Sequence, residues 1–401
     1  MLDAYIYDGL RSPFGRHGGA LAGVRPDDLL GAVIRDLMTR NPIAPETLDD
    51  VVVGCACQAG EDSRCVARHA ALLAGLPVEV PGTVIQRNCG SGLGALAAAA
   101  QMITAGEAEA LIAGGVESMS RAPFVVAKSE RAFDRQLVWY DSAVGTRFPN
   151  PAITRAYGDP TMPQTADNLA RDHRITREQA DAFALRSQQL CHAAQEAGVF
   201  AEEITPVTVP GRRGAPDRVV DRDEQPRPET TAETLAGLVP IHEGGVTTAG
   251  NAPALNDGAA TLLLGTRAVG ARVGLAPRAR ILATATAGVP PRIMGYGPVP
   301  ASQKALARAG LTLSDMDVIE MNEAFAAQTL ACLDGLGLAA SDARVNPHGG
   351  AIALGHPLGA SGPRLALSGL NALTRQGGRY ALLSMCVGVG QGISLVMERL
   401  Q

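Results

Sequence analysis

The pattern of hydrophobic and polar positions repeats in two distant parts of the chain. In the first part, apolar residues at helical spacing begin at Leu29, and an Asp-rich turn and the apolar run 51–54 follow them. In the second part, a helical pattern from Ala301 is likewise followed by an Asp-rich turn and an apolar run, at 318–321. Each part is therefore predicted to form a helix, a short turn and a buried strand.

The two parts also continue in the same way. Small residues at 89–93 open an Ala/Leu-rich helical segment that leads into the apolar run 110–114. Small residues at 359–363 open a similar segment that leads into the run 381–385. Because a matched order of strand, turn, helix and strand rarely arises by chance, we expect two halves that share one β-α-β topology.

The middle of the chain has a different pattern. Between residues 121 and 250 there are Pro- and Arg-rich stretches at 210–214 and 221–228. One helix is predicted there, because Thr176 is a good N-cap and apolar residues recur at helical spacing over 180–190. A long polar segment between two similar halves usually covers a site rather than building a core, so that is the role we expect.

Composition fits a protein of two or three domains. The chain has 401 residues, of which 46% are hydrophobic, and a typical domain has about 100–200 residues. The boundaries that we expect give an N-terminal core half at 1–120, a loop domain at 121–250 and a C-terminal core half at 251–401.

Charge and cysteine content narrow the class of partner and the compartment. The formal net charge is −5, and no apolar run approaches the ~20 residues that span a bilayer, so we expect neither nucleic acid nor a membrane as partner. The seven Cys are an odd number, and the N-terminus lacks the pattern of a signal peptide. We therefore expect reduced thiols and a cytoplasmic protein.

Cys89 is the first candidate for chemistry. It follows the apolar residues 84–85 and precedes small residues and an Ala-rich helical segment. This position places its sulfur at a helix N-terminus, where backbone N–H groups and the helix dipole favour a thiolate. The alternative is a buried structural Cys, which is the more common role of a single Cys.

Two of the next three side chains have positions that suit a site. His356 lies between glycines just before the second helix start. This position corresponds, in the repeat, to the surroundings of Cys89, so His356 could accept the thiol proton. Asn322 follows the predicted strand 318–321, and ligands gather at the carboxyl ends of parallel strands. Cys386 ends an apolar run, and by itself it is most simply a core Cys.

Two other kinds of site are not expected. The Gly-rich segments 90–94 and 388–392 lack the G-x-G-x-x-G spacing between a strand and a helix, so NAD binding is not predicted. Cys55, Cys57 and Cys65 lack a second C-x-x-C pair or a paired His, so no metal site is predicted.

Taken together, the motifs resemble those of the thiolase family over essentially the whole chain. Any one of them could occur by chance, but their occurrence in this order is specific. They are Arg87–Gly92, Gly114–Ser120, Thr248–Ala252, Asn256–Ala260, Asn322–Ala326, Gly349–Pro357 and Cys386–Gly392. The resemblance implies an α/β protein with the thiolase fold, which is a duplicated five-layer α/β/α/β/α core with an inserted loop domain. It also implies a two-step acyl transfer that uses coenzyme A.

The resemblance further implies a role for each matching residue. Cys89 would be the nucleophile that carries the acyl group, His356 would activate it, and Cys386 would exchange a proton at the carbon alpha to the thioester. One oxyanion would be bound by His356 and a water held by Asn322, and the other by the backbone N–H groups of Cys89 and Gly388. No cofactor beyond the substrate CoA is implied, and no metal.

The same resemblance implies contacts to CoA and substrate. The residues at the matching positions are Met162, Arg227, Ala252, Pro253 and Phe325. Two positions depart from the family pattern. Pro253 stands where a Ser is usual and cannot supply its hydroxyl or a backbone donor, and His348 stands where an Asn is usual.

Within the family, several motifs resemble the 3-oxoadipyl-CoA thiolases of aromatic degradation. They are Gly60–Arg64, Ala182–Gln189 and Asn346–Pro347 together with Leu358–Gly362. A substrate with a terminal carboxylate needs a cation near the acyl pocket, and the candidates are Arg64, Arg68 and Arg147. We hypothesise the degradative cleavage of a 3-oxoacyl-CoA, with 3-oxoadipyl-CoA as the leading substrate.

Three alternatives stay open at this point. An acetoacetyl-CoA thiolase would have the same catalytic residues and run in the condensing direction. A ketoacyl synthase shares the duplicated fold but would lack a second catalytic Cys, so Cys386 argues against it. A catalytically silent CoA or lipid binder is the alternative from another class. The resemblance also implies a homodimer or a homotetramer.

Overall fold

The N-terminal part of the fold alternates strands with helices and is interrupted by a long insertion. The computed structural model describes residues 1–211 and 214–401, so Arg212 and Arg213 of the Pro- and Arg-rich stretch 210–214 lie outside the described residues. The elements before the insertion are β1 (Ala4–Arg11), β2 (Gly15–Arg16), α1 (Pro26–Thr39), β3 (Asp50–Gly54), α2 (Val66–Leu73), β4 (Gly82–Ile85), α3 (Ser91–Ala105) and β5 (Ala110–Ser118).

The insertion consists of short hairpins and helices, and the second half of the fold follows it. The elements of the insertion are β6 (Phe124–Val126), β7 (Trp139–Asp141), α4 (Pro151–Tyr157), α5 (Met162–Asp172), α6 (Arg177–Glu196), β8 (Val207–Val209), β9 (Arg218–Val220) and α7 (Ala232–Ala236). After it come β10 (Asn256–Gly265), α8 (Arg267–Arg272), β11 (Ala279–Gly288), α9 (Pro298–Ala309), β12 (Val318–Met321), α10 (Ala326–Gly335), α11 (Ala351–Leu354), α12 (Leu358–Gln376), β13 (Tyr380–Val387) and β14 (Gln391–Arg399). Short 3₁₀ helices lie at Pro45–Thr47, Met119–Arg121, Val199–Glu202, Pro291–Tyr296 and Leu313–Asp315.

The strands of the two halves follow the same spatial order. The paired strands run β12-β13-β14-β11-β1-β10-β5-β3-β4. The first strand of each half, β1 or β11, lies innermost. These two strands pair with each other, and Ala4 of β1 faces Ile281 of β11. Next to it lies an antiparallel strand, β10 or β14, and beyond that come the parallel strands. The repeat predicted from the sequence is therefore a repeat of topology.

Helices separate and cover the two halves of the sheet. α3 and α12 share one hydrophobic cluster with strands of both halves, through residues such as Leu96 and Leu370. α1 and α2 pack on the outer face of the N-terminal strands, and α9 and α10 pack on the outer face of the C-terminal strands. These layers are the predicted five-layer α/β/α/β/α arrangement.

One expected domain boundary and the expected role of the loop domain need correction. β10 lies between β1 and β5, so residues 256–265 complete the N-terminal half, and the C-terminal half begins with β11 rather than at residue 251. The loop domain also does more than cover a site, because Ala180 and Phe183 of α6 are buried in the C-terminal core cluster. Thr176 caps α6 as the sequence predicts.

The crossing of α3 and α12 brings the two helix starts together. A Cβ on Gly92 would overlap the carbonyl oxygen of Gly359, and a Cβ on Gly362 would overlap the backbone of Leu93. The two helices can approach this closely only because these positions have no side chain. Cys89 and His356 precede these two helix starts, so the crossing places both residues at one edge of the core. Within the described residues, no helix has the length and apolar character needed to cross a membrane.

Candidate active site

Cys89 lies in the tight turn that joins β4 to α3. Ser91 fixes this turn, because its Oγ accepts a hydrogen bond from the backbone N–H of Arg87 (2.9 Å) and donates one to the carbonyl of Asn88 (2.6 Å). The Cys89 sulfur lies against the backbone N–H groups of Gly388 and of Cys89 itself. Its position at the start of α3 is the one predicted.

The predicted thiolate is not the resting form of Cys89. Burial raises the pKa of its thiol to about 11, although the N–H of Gly388 acts in the opposite direction and Glu117 adds a smaller upward effect. Removal of the sulfur from water therefore outweighs the effect of the helix N-terminus. At neutral pH, Cys89 is a thiol that needs a base.

Cys386 and Gly388 come from the end of β13 and the turn that follows. The carbonyl of Gly388 accepts a hydrogen bond from Asn88 Nδ2 (3.2 Å), which ties this turn to the Cys89 turn. Cys386 is fully buried in a small apolar cluster with Phe325 and Met294. Its pKa is raised well above the ordinary range, first by burial and then by the nearby Cys89. The structure therefore brings two protonated thiols to the same place.

His356 has a defined tautomer. Its Nδ1 lies 2.7 Å from Ser361 Oγ, and that hydroxyl uses its own proton to donate to the carbonyl of Pro357 (2.9 Å). Nδ1 must then be the protonated nitrogen, and Nε2 is left as the base. Burial, with a smaller effect from Arg364, lowers the pKa of His356 to about 3, so the imidazole is neutral at physiological pH.

Asn322 lies next to His356, as the family resemblance implies. Its Nδ2 is 3.4 Å from His356 Nε2, and its backbone N–H donates to the carbonyl of Ser384 on β13 (2.9 Å). The Asn322 Oδ1 atom is buried and has no hydrogen-bond partner in the described part of the chain. Because a buried amide oxygen is normally satisfied, this atom points to a polar ligand or water in the site.

Two buried carboxylates frame the site, and the sequence reasoning missed both roles. Glu117, at the end of β5, accepts hydrogen bonds from the backbone N–H groups of Ala56 (3.0 Å), Cys57 (2.9 Å) and Gly359 (3.0 Å). It therefore joins loops of the N-terminal half to the start of α12. The signal was its place within the motif Gly114–Ser120.

Glu323 lies just after β12, next to Asn322. It accepts hydrogen bonds from Ser187 Oγ of α6 (2.7 Å), Asn346 Nδ2 (2.8 Å) and the backbone N–H of Ile352 (3.1 Å). These bonds join the loop domain to the segment that carries His356. Both carboxylates satisfy backbone and side-chain donors rather than a cation.

The predicted substrate contacts fall into two groups. Ala252 and Phe325 pack in the cluster around Cys386, and Pro253 lies half-buried beside them. Met162 begins α5 and is 38% exposed. Arg227 is exposed, and its backbone holds it in place: its N–H donates to Gln188 Oε1 (2.9 Å) and its carbonyl accepts from Thr230 Oγ1 (2.8 Å).

His348 lies apart from His356. It is half-buried, and the charge that contributes to lowering its pKa, after burial, is that of Arg375, near the far end of α12. Within the described residues, no hydrogen bond joins its side chain to Cys89, His356 or Cys386.

One group of described side chains has the spacing of a metal site. Single ligand atoms of Cys55, Asp62 and Glu117 lie within 4.8 Å of one another. Both carboxylates already accept several backbone hydrogen bonds, which accounts for their positions. The sulfur of Cys65 instead donates to the carbonyl of Gly82 (3.0 Å). We assign no ion to this group.

The chain is similar to known proteins over its whole length. A family model for the thiolase N-terminal domain matches residues 4–268, and one for the thiolase C-terminal domain matches residues 275–399. A 3-oxoadipyl-CoA/3-oxo-5,6-dehydrosuberyl-CoA thiolase of Escherichia coli (strain K12) is 56% identical over 401 residues, and the match covers 100% of both chains. A beta-ketoadipyl-CoA thiolase of Acinetobacter baylyi is 58% identical over 402 residues, again over 100% of both chains. Among solved structures, the Bacillus anthracis acetyl-CoA acetyltransferase superposes with a TM-score of 0.92 at 39% identity, over 100% of this chain and 99% of the other.

Proposed function

Since this chain belongs to the thiolase family, we propose that it cleaves 3-oxoadipyl-CoA with CoA to give succinyl-CoA and acetyl-CoA. The observation that carries the proposal is the Cys89 sulfur against the Gly388 N–H, with the second thiol, Cys386, beside it. The substrate is supported by full-length relatives at 56% and 58% identity whose names specify this acyl group.

In the first step, Cys89 attacks the 3-oxo carbon of the substrate. The neutral His356 takes the thiol proton at Nε2, the nitrogen left free by the bond from Nδ1 to Ser361. A base with a pKa of about 3 does not hold a proton at rest. Proton transfer is therefore coupled to the attack, and the two groups do not form a standing ion pair.

In the second part of that step, the bond between C2 and C3 breaks. Its electron pair forms the enolate of acetyl-CoA, and the Cys386 thiol protonates the C2 carbon. The succinyl group stays on Cys89 as a thioester. The thiol of the incoming CoA then attacks this thioester, so Cys89 leaves and the proton of CoA returns to the enzyme.

Two oxyanions need donors that are already in place. We assign the oxygen of the acyl-Cys89 adduct to the N–H groups of Cys89 and Gly388, which already face the sulfur. We assign the enolate oxygen to His356, once protonated, and to a water held by Asn322, whose buried Oδ1 has no partner in the described residues. A missing donor of this kind typically costs about 10²–10³ in rate.

The proposal also covers cofactors, compartment and assembly. Each step above uses only groups of the chain, one water and CoA, so we propose no further cofactor. Because Cys89 and Cys386 must stay thiols, a reducing compartment such as the cytoplasm is required.

We propose a homodimer or homotetramer, which is supported by the apolar side chains that the β6–β7 segment exposes, including Phe124, Phe133 and Trp139 (65%, 99% and 61%). The rings of Phe124 and Trp139 are in contact there (4.8 Å between centroids), and monomeric proteins rarely expose large apolar patches.

A direct assay separates the candidates. Purified protein is given CoA with 3-oxoadipyl-CoA, acetoacetyl-CoA or a medium-chain 3-oxoacyl-CoA, and Cys89→Ala is the control. Preference for 3-oxoadipyl-CoA supports the proposal, and preference for acetoacetyl-CoA replaces its substrate. A silent binder would form no acyl-enzyme, so mass spectrometry that finds no acyl group on Cys89 during turnover overturns the mechanism.

A further inference from the structure

The chemistry of the proposed substrate fixes where its terminal carboxylate must lie. Cys89 bonds to C3 of 3-oxoadipyl-CoA, and the carboxylate carbon is C6. Three C–C bonds separate these atoms, so an extended chain places the carboxylate roughly 4 Å from the attacked carbon. A side chain that binds the carboxylate must therefore lie at the Cys89 edge of the sheet.

Two of the candidate arginines lie at the opposite end of β4. The backbone of Arg68 abuts Gly82, the first residue of that strand, and its guanidinium donates to the carbonyls of Val78 and Val80. Arg64 is exposed and precedes Cys65, whose sulfur also contacts Gly82. Cys89 follows the other end of β4, so neither arginine is placed to reach its acyl group.

Arg147 lies at the same edge of the sheet as Cys89. Its Nη1 donates to the carbonyl of Cys57 (2.8 Å), in the loop that follows β3. The backbone N–H of Cys57 donates to Glu117 (2.9 Å), and the charge of Glu117 contributes to raising the pKa of Cys89. Arg147 and Glu117 thus both bind the loop at Cys57, and Glu117 is close enough to Cys89 to affect its pKa.

The charge of Arg147 has no partner in the described residues. Arg147 is half-buried, and within residues 1–211 and 214–401 its guanidinium makes one hydrogen bond, to Cys57, and no ion pair. Two other arginines in this region are engaged, since Arg121 pairs with Glu61 and Arg87 donates to Gln391. A planar guanidinium with free N–H groups matches a carboxylate in a two-point contact.

We infer that Arg147 binds the terminal carboxylate of the acyl chain and sets the preference of this enzyme for dicarboxylic 3-oxoacyl-CoA substrates. The inference rests on the proposed function. The names of both relatives also agree with it, since each specifies a dicarboxylic acyl group.

The test compares two substrates of equal length. 3-Oxoadipyl-CoA carries a carboxylate at C6, and 3-oxohexanoyl-CoA carries a methyl group there. Arg147→Gln removes the charge but keeps an N–H donor for the Cys57 carbonyl. We expect kcat/KM for 3-oxoadipyl-CoA to fall about 10- to 100-fold, as the loss of hydrogen bonds to a charged group implies, and kcat/KM for 3-oxohexanoyl-CoA to change less than about 2-fold. Arg64→Gln and Arg68→Gln are the matched controls, and neither should change the ratio.

The outcomes separate the two proposals. A wild-type enzyme that does not prefer 3-oxoadipyl-CoA overturns the proposed substrate, and the role of Arg147 falls with it. A wild-type preference that survives Arg147→Gln, or that disappears in Arg64→Gln or Arg68→Gln, overturns the role of Arg147 alone. An equal loss on both substrates also overturns that role, because it shows a structural effect. The melting temperature of each variant checks that the fold is kept.

Discussion

Glu117 accepts a hydrogen bond from the backbone N–H of Gly359, with 3.0 Å between the carboxylate oxygen and the amide nitrogen. One residue comes from the end of β5 and the other from the first turn of α12, so this bond crosses between the halves of the duplicated fold. Gly359 lies three positions after His356. The carboxylate therefore helps to hold His356 in place against the N-terminal half.

Replacement of Glu117 by Gln should weaken this connection. The carboxylate satisfies three N–H donors with two oxygens, whereas an amide has one oxygen and turns its own NH₂ group toward at least one donor. We expect Glu117→Gln to lower the free energy of unfolding by about 2 kcal/mol, measured by urea denaturation.

Glu61→Gln is the matched control for this change. Glu61 is partly exposed and pairs with Arg25 and Arg121. Pairs of this kind contribute about 0–1 kcal/mol, so the control should lose less stability than Glu117→Gln. Equal losses in the two variants would contradict the role assigned to Glu117.

The pH dependence of Cys89 alkylation tests its protonation state. With a pKa of about 11, only the small thiolate fraction reacts at neutral pH, and that fraction rises about tenfold for each pH unit below 11. The rate of Cys89 modification by iodoacetamide, followed by mass spectrometry, should therefore rise steadily from pH 7 to pH 10. A plateau at neutral pH would instead show a stabilised thiolate, which is the form favoured by the helix N-terminus alone.

The order of the elements was largely predictable from the sequence, because apolar runs and small-residue turns report local structure. Cys89 and His356 were predicted together for that reason, since each precedes a helix start in the repeat. The place of β10 was not predictable in the same way. Its partners β1 and β5 are separated from it by the whole insertion, and a pattern of apolar residues does not identify a strand's neighbours.

The electrostatics of the site could not be predicted from spacing. The helix start favours a thiolate at Cys89, but the depth of burial reverses that preference, and burial depends on residues from both halves. Glu117 and Glu323 were missed for a related reason. A single Glu next to a strand usually faces water, and only the three-dimensional structure shows that backbone and side-chain donors surround these two.

Ser361 should matter for catalysis through the tautomer of His356. Its Oγ accepts a hydrogen bond from the Nδ1–H group, so Ser361→Ala removes the partner that keeps the proton on Nδ1 and leaves Nε2 unprotonated. A general base contributes about 10²–10⁴ in rate. We expect the loss of the preferred tautomer to remove only part of this contribution, so that kcat falls about 10-fold. The measurement is steady-state cleavage of 3-oxoadipyl-CoA.

A second serine on the same helix provides the control for Ser361. Ser368 is also buried, and its Oγ has no hydrogen-bond partner in the described residues. Ser368→Ala should therefore leave kcat near the wild-type value. The tautomer argument fails if the two variants have the same kcat.

Cys386 should be needed for one half of the chemistry and not for the other. Cleavage of the C2–C3 bond requires a proton at C2, whereas exchange of an acyl group between two CoA molecules forms no carbanion. We expect Cys386→Ala to reduce cleavage by about 10³-fold, within the range for acid–base catalysis, and to retain most of the exchange of labelled CoA into acetyl-CoA.

Cys332→Ala is the control for Cys386. Cys332 is another fully buried thiol, it is close enough to affect the pKa of Cys386, and its sulfur donates a hydrogen bond to the Gly295 carbonyl (3.0 Å). It should keep both activities. If Cys386→Ala lost cleavage and exchange to the same extent, Cys386 would have to act on Cys89 itself rather than on the substrate carbon.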